Sequence, residues 1–317
     1  MEFCACQLTA YPFPVTALPI IIVSWNVRDL LARCLASIFA ELDRAGVPGR
    51  VSVVDNASRD GSPEMIRAQF PQVELIASDQ NLGFAKGNNV GLQHAQVVAR
   101  DVEFALLLNP DTEVQPGAMT TLLAAARARP DVALATAQLL YGDGSFQHSA
   151  FRFPGLSQLA IDVFPTPGRW SESRLNGRYP RAKYAAGQSF EIDHPLGAVM
   201  LVRGAALRQV GVFDDDFALY CEEIDWAARF QAAGWKNLCV PAARITHYAG
   251  GSASQVKLTS FVQLWTARYQ LHTKHPQFAP LALARLIVRA GMRRKMRGAS
   301  DELRAACGQI IKVWSVT

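Results

Sequence analysis

Apolar residues come along this chain in short unbroken runs, separated by stretches with helical spacing. "PIIIVS" (19–24) has almost no polar interruption and reads as a strand buried on both faces. "RDLLARCLASIFAEL" (28–42) then places apolar side chains three and four apart, as a helix with one buried stripe requires. The alternation continues. Strands are expected in "RVSVVDNAS" (50–58), "VELIAS" (73–78), "FALLLNPDT" (104–112) and "VALATAQLLY" (132–141). Helices are expected in "PEMIRAQF" (63–70), "GFAKGNNVGLQHA" (83–95) and "PGAMTTLLAAARARP" (116–130), the last with Pro116 in its first turn. Short loops and uniformly apolar strands imply an α/β fold, a mostly parallel sheet covered by helices on both faces.

The regularity fades from about 145 to 192, where Pro, Gly, Arg and aromatics dominate, as in "FRFPGLSQLAIDVFPTPGRW". So long an irregular stretch reads as a functional loop or lid. Pattern returns in "GAVMLVRGAALRQVG" (197–211), in "EEIDWAARFQAAGW" (222–235), a helix stopping at Gly234, and in the strand "NLCVPAARITH" (237–247). Residues 255–317 look helical. The expected organisation is an extension over 1–18, an α/β domain over 19–252 and a basic helical region over 253–317. The extension lacks the basic start and apolar middle of a signal peptide.

Composition sharpens this picture in three places. With 317 residues, half of them hydrophobic, the chain can bury a sizeable core without staples. The net charge of +5 is uneven: from residue 251 on, eleven Lys and Arg face two Asp and Glu, so the residues before are net acidic. The basicity belongs to the tail, which points to a local anionic partner. The six cysteines form no C-x-x-C pair or zinc pattern, and Cys34 and Cys239 lie in apolar periodic stretches. They read as buried thiols in a reducing cytoplasm. No apolar run reaches the roughly 20 residues of a spanning helix.

Three of the first four strands end in short polar clusters: Ser24-Trp25-Asn26, Asp55-Asn56-Ala57-Ser58 and Asn109-Pro110-Asp111. Any one of them is ordinary turn and N-cap chemistry. Three together point further, because ligands of open parallel sheets bind beyond the carboxyl ends of the strands. No G-x-G-x-x-G follows the first strand and no P-loop occurs, which weighs against dinucleotide and P-loop readings. Gly83, Gly87 and Gly91, four apart, let a helix pack closely on the sheet. The N-terminus of that helix, with Asn81, Gly83, Asn88 and Asn89, also suits phosphate or sugar oxygens, and Lys86 adds charge toward them or faces solvent. Glu222, Glu223 and Asp225 complement a helix dipole, but three carboxylates beside Tyr220 and Trp226 exceed that need.

In the tail, Arg285, Arg289, Arg293 and Arg297 recur every four residues, with Arg294 and Lys295 beside them and Leu283, Leu286, Ile287, Met292 and Met296 among them. This is an amphipathic helix, either solvated and packed on the domain or docked on anionic lipid. No aromatic-interleaved basic motif points to nucleic acid.

The ordered motifs "IIIVSWN", "VVDNASRDGS", "NLGFAKGNN", "LLLNPDT", "GAVMLVR", "FALYCEEIDWAARFQAAGW" and "ITHYAGGS" resemble the family 2 glycosyltransferases, in particular the bacterial rhamnosyltransferase-like branch. The resemblance covers about residues 19–252. It implies the GT-A nucleotide-diphospho-sugar transferase fold with a C-terminal helical extension. It implies inverting transfer of a sugar, L-rhamnose from dTDP-rhamnose, to an acceptor hydroxyl in cell-surface polysaccharide or glycolipid synthesis. It also implies a Mg²⁺ or Mn²⁺ cofactor and a glycan or lipid-linked acceptor.

Carried onto these residues, the resemblance makes Asp111 the metal ligand of a variant motif in which Asn109 replaces an aspartate and bonds a ribose or sugar hydroxyl. Ser24, Asn26, Asp55 and Asn56 become nucleotide contacts, and Gly197 and Ala198 the floor of the sugar pocket. His247, before Gly250-Gly251-Ser252, becomes a second metal or diphosphate contact; a lone histidine is otherwise more often structural. Glu223 becomes the general base, with Glu222 and Asp225 as alternatives. Glu223 stands where the family usually has aspartate, moving the oxygen outward by one methylene. A carboxylate is ionised at neutral pH, so the role requires no large pKa rise. A nucleotidyltransferase would need a Gly-rich basic loop after the first strand, which "SWNVRDL" does not supply. A non-catalytic nucleotide- or glycan-binding module would have no need of the acidic helix and His247.

Overall fold

A computed structural model describes residues 17–98, 101–217, 219–249 and 257–316. The expected extension over 1–18, with Cys4 and Cys6, and the Gly250-Gly251-Ser252 motif lie wholly or almost wholly outside these.

The first half is built from β1 (Leu18–Ser24), α1 (Arg28–Ala45), β2 (Gly49–Asp55), α2 (Ser62–Gln69), β3 (Glu74–Ala77), α3 (Gly83–His94), β4 (Phe104–Leu108), β5 (Thr112–Val114), α4 (Ala118–Arg127) and β6 (Val132–Leu140). Then come β7 (Phe146–Gln147), β8 (Ala150–Phe151), α5 (Leu156–Val163), α6 (Gly168–Ser171), α7 (Arg181–Ala185), β9 (Phe190–Ile192) and β10 (His194–Pro195). The chain continues through β11 (Val199–Arg203), α8 (Gly204–Val210), α9 (Glu222–Ala232), β12 (Lys236–His247), α10 (Lys257–Lys274), α11 (Leu281–Lys295) and α12 (Asp301–Val313).

The main sheet runs β3-β2-β1-β4-β11-β6-β12-β5, with β7 beside β6 and β9 beside β12. β3, β2, β1 and β4 are parallel; β11 enters antiparallel between β4 and β6. The unbroken apolar strands follow from coverage on both sides. Ile20 and Ile22 of β1 pack under α1, α2 and α4, while Ile21 packs with α3, α8 and α9. Each of the three isoleucines is fully buried, worth about 2–3 kcal/mol apiece. α3 comes unusually close to β1. A Cβ at Gly87 would lie 2.7 Å from Val23 Cγ1, and one at Gly91 2.4 Å from Ile21 Cγ2.

Three expectations need correction. "FALLLNPDT" is not one strand: β4 stops at Leu108, and after a turn the chain starts β5, which pairs with β12 at the far edge. Pro116 precedes the helix, whose N-cap is Gly117; the buried Glu41 carboxylate caps it instead, accepting from Gly117 N–H (3.0 Å) and Met119 N–H (3.3 Å). The 145–192 stretch is not irregular throughout: it holds β7 to β9 and α5 to α7, and although most of 165–191 is exposed, buried anchors tie it to the body. Tyr179 and Tyr184 bury against Ile192 and Cys239, and α5 supplies Leu159 and Val163 to a core shared with Trp265, Val288, Met292, Ile310 and Trp314 of the C-terminal helices. Isolated apolar anchors among Pro and Gly carry that packing without a visible period.

Candidate functional site

Strand pairing alone gathers the polar strand ends on one rim. Ser24 pairs with Asp55 across β1 and β2, and Ile22 is level with Leu108 of β4, so Asn109–Asp111 leave the sheet beside Ser24. β11 runs the other way, with Val199 opposite Leu108, which sets Gly197 and Ala198 against the same turn. There the Asn109 N–H donates to Ala198 O at 2.9 Å. β5 places Thr112 opposite His247, and the Tyr248 N–H donates to Asp111 O at 2.9 Å.

Asp111 and His247 therefore meet, Oδ1 to Nε2, at 3.4 Å, both buried. Pro110 stiffens the turn, and the Thr112 hydroxyl closes it by donating to Asn109 O at 2.8 Å. His247 Nδ1 lies 3.1 Å from Gln147 Oε1. With the amide oxygen assigned to that contact, Nδ1 carries the hydrogen and the Nε2 lone pair faces Asp111. Among the described residues no group of three or more His, Cys, Asp or Glu could hold a metal. An oxygen and a nitrogen donor, the latter steadied by the Gln147 amide, suit a hard divalent cation that keeps substrate oxygens in its shell, so the pair fits Mg²⁺ or Mn²⁺.

On the other side of Ser24, the buried Ser24 Oγ, Asp55 Oδ1 and Asn56 Oδ1 have no hydrogen-bond partner among the described residues, and neither has Asn109 Oδ1. The companion atoms are engaged: Asp55 Oδ2 accepts from Ser58 N–H at 2.9 Å, and Asn56 Nδ2 donates to Gly83 O at 3.1 Å. An unmet buried acceptor costs about 1–3 kcal/mol, so this rim is complementary to a ligand rich in N–H and O–H groups. Asn26 serves the loops. It adopts φ 51°, its N–H donates to Ser58 Oγ (2.9 Å) and its Oδ1 accepts from Arg59 N–H (2.7 Å).

The α3 asparagines are also spent on the protein. Asn81 Oδ1 caps the Gly83 N–H (2.9 Å), Asn88 Nδ2 donates to Phe84 O (3.0 Å), and Asn89 Nδ2 donates to Phe213 O (2.9 Å) and Asp215 Oδ1 (2.6 Å). Lys86 is exposed. Gly87 and Gly91 act in packing, Gly83 opens the helix at φ 79°, and its amide is already capped.

The acidic cluster divides into three environments. Tyr220 and Cys221, both left-handed at φ 73° and 69°, turn the chain into α9. Such backbone costs about 1–3 kcal/mol per residue and concentrates at functional sites. Glu223 lies over Gly197: a Cβ there would be 3.6 Å from Glu223 Cβ and Cγ. Glu223 is thus one residue from the backbone that holds Asn109. Burial pushes its carboxyl up to about 7. Glu222 is buried, with Oε2 unpartnered; burial, then the charge of Glu223, pushes it well above the usual carboxylate range.

Asp225 differs. It is fully buried, with Oδ1 2.8 Å from both Lys274 Nζ and His275 Nε2, and Oδ2 2.8 Å from Arg229 Nε. Both oxygens are engaged by cations, so the alternative of Asp225 as base meets a side chain that bolts α9 to the end of α10. Gln147, Lys274 and His275 escaped sequence reading; only the motif-bearing partners, His247 and Asp225, could have pointed to them.

The glycosyl transferase family 2 model matches residues 20–194, more than half of the chain. The chain is 28% identical over 244 residues to the N-acetylglucosaminyl-diphospho-decaprenol L-rhamnosyltransferase of Mycobacterium tuberculosis, covering 75% of this chain and 78% of that protein. It is 27% identical over 238 residues to rhamnosyltransferase WbbL of Escherichia coli, covering 73% and 83%. Among solved structures, the mannosyltransferase PcManGT of Pyrobaculum calidifontis, in complex with GDP-Man and Mn²⁺, superposes with TM-score 0.53 at 14% identity, over 93% of this chain and 85% of that one. GalNAc-T7, with UDP, GalNAc and Mn²⁺, gives TM-score 0.53 at 15% identity over 73% of this chain but only 44% of its own. The motif order, the mixed sheet and these likenesses agree: the chain has the GT-A fold and belongs to glycosyl transferase family 2.

Proposed function

We propose that this chain transfers a sugar with inversion, and with a divalent cation, from a nucleotide-diphosphate donor to the hydroxyl of a lipid-linked glycan on the cytoplasmic side of a membrane. The donor we propose is dTDP-L-rhamnose, in line with the mycobacterial and E. coli relatives being rhamnosyltransferases. Residues 19–252 form the proposed catalytic unit, 253–317 its basic helical companion. The observation that carries the reading is the convergence of Asp111 and His247 with Glu223 and Gly197 around the one Asn109 turn.

Asp111 and His247 would hold the cation, which when bound supplies positive charge against the departing diphosphate. Gln147 keeps the His247 Nε2 lone pair turned to that spot. Asp55, Ser24 and Asn56 receive the base and ribose, Asn109 Oδ1 accepts from a ribose or sugar hydroxyl, and Gly197 and Ala198 let the sugar lie against backbone. Glu223 takes the proton of the acceptor hydroxyl as its oxygen attacks the anomeric carbon from the face opposite the leaving group. Glu222, whose carboxyl is pushed well above the usual carboxylate range by burial and the charge of Glu223, is not given the proton-accepting role.

Purified protein given dTDP-rhamnose, Mg²⁺ or Mn²⁺ and a polyprenyl-diphosphate-linked acceptor tests this. Glu223→Gln should lower turnover about 10²–10⁴-fold, and Asp111→Ala should abolish the response to added cation. Unchanged turnover in both variants removes the mechanism.

A further inference from the structure

We propose that the outward face of α11, with the basic pocket at its C-terminal end, is a docking surface for an anionic phospholipid bilayer. Arg285 and Arg289, which head the four-residue arginine row, are half-buried, and the Arg285 Nη2 donates to Tyr269 Oη at 3.1 Å. Ala284, Val288, Gly291 and Met292 face the protein. What remains outside is a different set. Leu286 is 64% exposed and Leu283 49%, with Ala282 exposed beside them in the first half of the helix and Ala290 past its middle. Arg293, Arg294, Lys295 and Arg297 are exposed in the second half and just past it.

Arg294, Lys295 and Arg297 line a pocket of about 410 Å³ with Val163, Phe164 and Pro165 from the end of α5. No carboxylate is recorded as an ion-pair partner of any of the four cations among the described residues. Cations in a last helical turn complement its dipole, which accounts for part of their placing. It does not account for two bare leucines on the same face, whose exposure costs folding stability without return in water.

Apolar side chains at one end of a helix and unpaired cations at the other match one surface, the boundary of a bilayer. There leucines enter the acyl region while Arg and Lys meet headgroup phosphates. A second copy of the chain is the poorer occupant, since two-fold pairing would set the four cations against their own images. Duplex nucleic acid would leave the leucines unused. Among the described residues no helix is long and apolar enough to cross a membrane, so contact through this face lies in the plane of the surface.

The test is co-flotation of the full chain with vesicles of phosphatidylcholine, alone or mixed with phosphatidylglycerol, and it needs no substrate. Its failure would leave the transferase reading untouched. Wild-type protein should partition to the anionic vesicles and be released by salt. Arg294→Gln, Lys295→Gln and Arg297→Gln together should weaken partition on the order of 100-fold, at about tenfold or less per charge. Leu283→Ser with Leu286→Ser should weaken it about tenfold with the charge unchanged. All five positions are on the surface, and unfolding transitions matching wild type establish that the variants fold. The proposal is overturned by no partition, by equal partition to neutral vesicles, by indifference to either variant, or by duplex DNA displacing the protein from vesicles and binding it independently of the leucines.

Discussion

Replacing Asp225 by Asn keeps the shape of the side chain and removes its charge, and so separates a structural bolt from a catalytic base. Burial alone would raise the Asp225 pKa, but hydrogen bonds from His275, Lys274 and Arg229 outweigh it and hold the group at about 2, against an ordinary 3.8. That gap corresponds to about 2 kcal/mol of folding stability. Breaking one partner of a buried ion pair typically costs about 3–5 kcal/mol. The two routes bracket an expected loss of roughly 2–5 kcal/mol, a fall of roughly 5 °C in Tm for a chain of this size. Because the folded-state pKa is depressed, this contribution is complete above about pH 4 and disappears as pH falls toward about 2. Urea unfolding of wild type and variant should therefore differ by the full amount at neutral pH and converge in acid. Turnover below both transitions should change no more than a few-fold. A variant as stable as wild type at neutral pH but with turnover lowered a hundredfold would refute the reasoning and make Asp225 the base.

Further outcomes follow from the site and the packing. Glu223 acts ionised and its carboxyl is pushed up to about 7, so kcat/KM should climb through about pH 7 and level off above it; a limb near the ordinary carboxylate range would contradict the burial argument. Glu222→Gln removes a charge that burial and the neighbouring Glu223 already disfavour and should leave turnover within a few-fold, where Glu223→Gln does not. Gln147→Leu frees the His247 ring and should weaken Mn²⁺ binding about 10–100-fold by calorimetry, with unfolding by urea nearly unchanged. Gly91→Ala pushes a Cβ to 2.4 Å from Ile21 Cγ2 and should cost about 1–3 kcal/mol by urea unfolding, or more if the helix cannot shift.

The parallel half of the fold was readable because burial on both faces leaves strands apolar throughout, and "PIIIVS" or "FALLL" admits little else. β5 was not readable: three residues carry no period, and their partner lies in β12, far along the chain. The rim residues were visible as polar punctuation after each strand. Their division of labour was not. Nothing in "NLGFAKGNN" distinguishes an asparagine that caps its own helix from one that meets a ligand, and Asn81 and Asn88 turned out to bond their own backbone. In "EEID" three acids sit within four positions, yet one lies on Gly197, one is shut away unpartnered and one is gripped by α10. Only long-range packing separates them. The arginine row behaved likewise: spacing by four set a stripe, but the stripe runs from half-buried to open, and Leu283 and Leu286 are more exposed than the neighbouring Arg285 and Arg289.

The pairing of β5 with the end of β12 has a consequence for biogenesis. Asp111 is synthesised early, but the strand that carries His247, and pins the aspartate's own carbonyl through Tyr248, leaves the ribosome much later. A nascent chain that has formed the β3-β2-β1-β4 layer already has the polar rim of Ser24, Asp55 and Asn56, yet His247 reaches Asp111 only when the twelfth strand docks. Translation products halted before residue 236 should therefore be able to settle into a compact layer while being inert toward the cation.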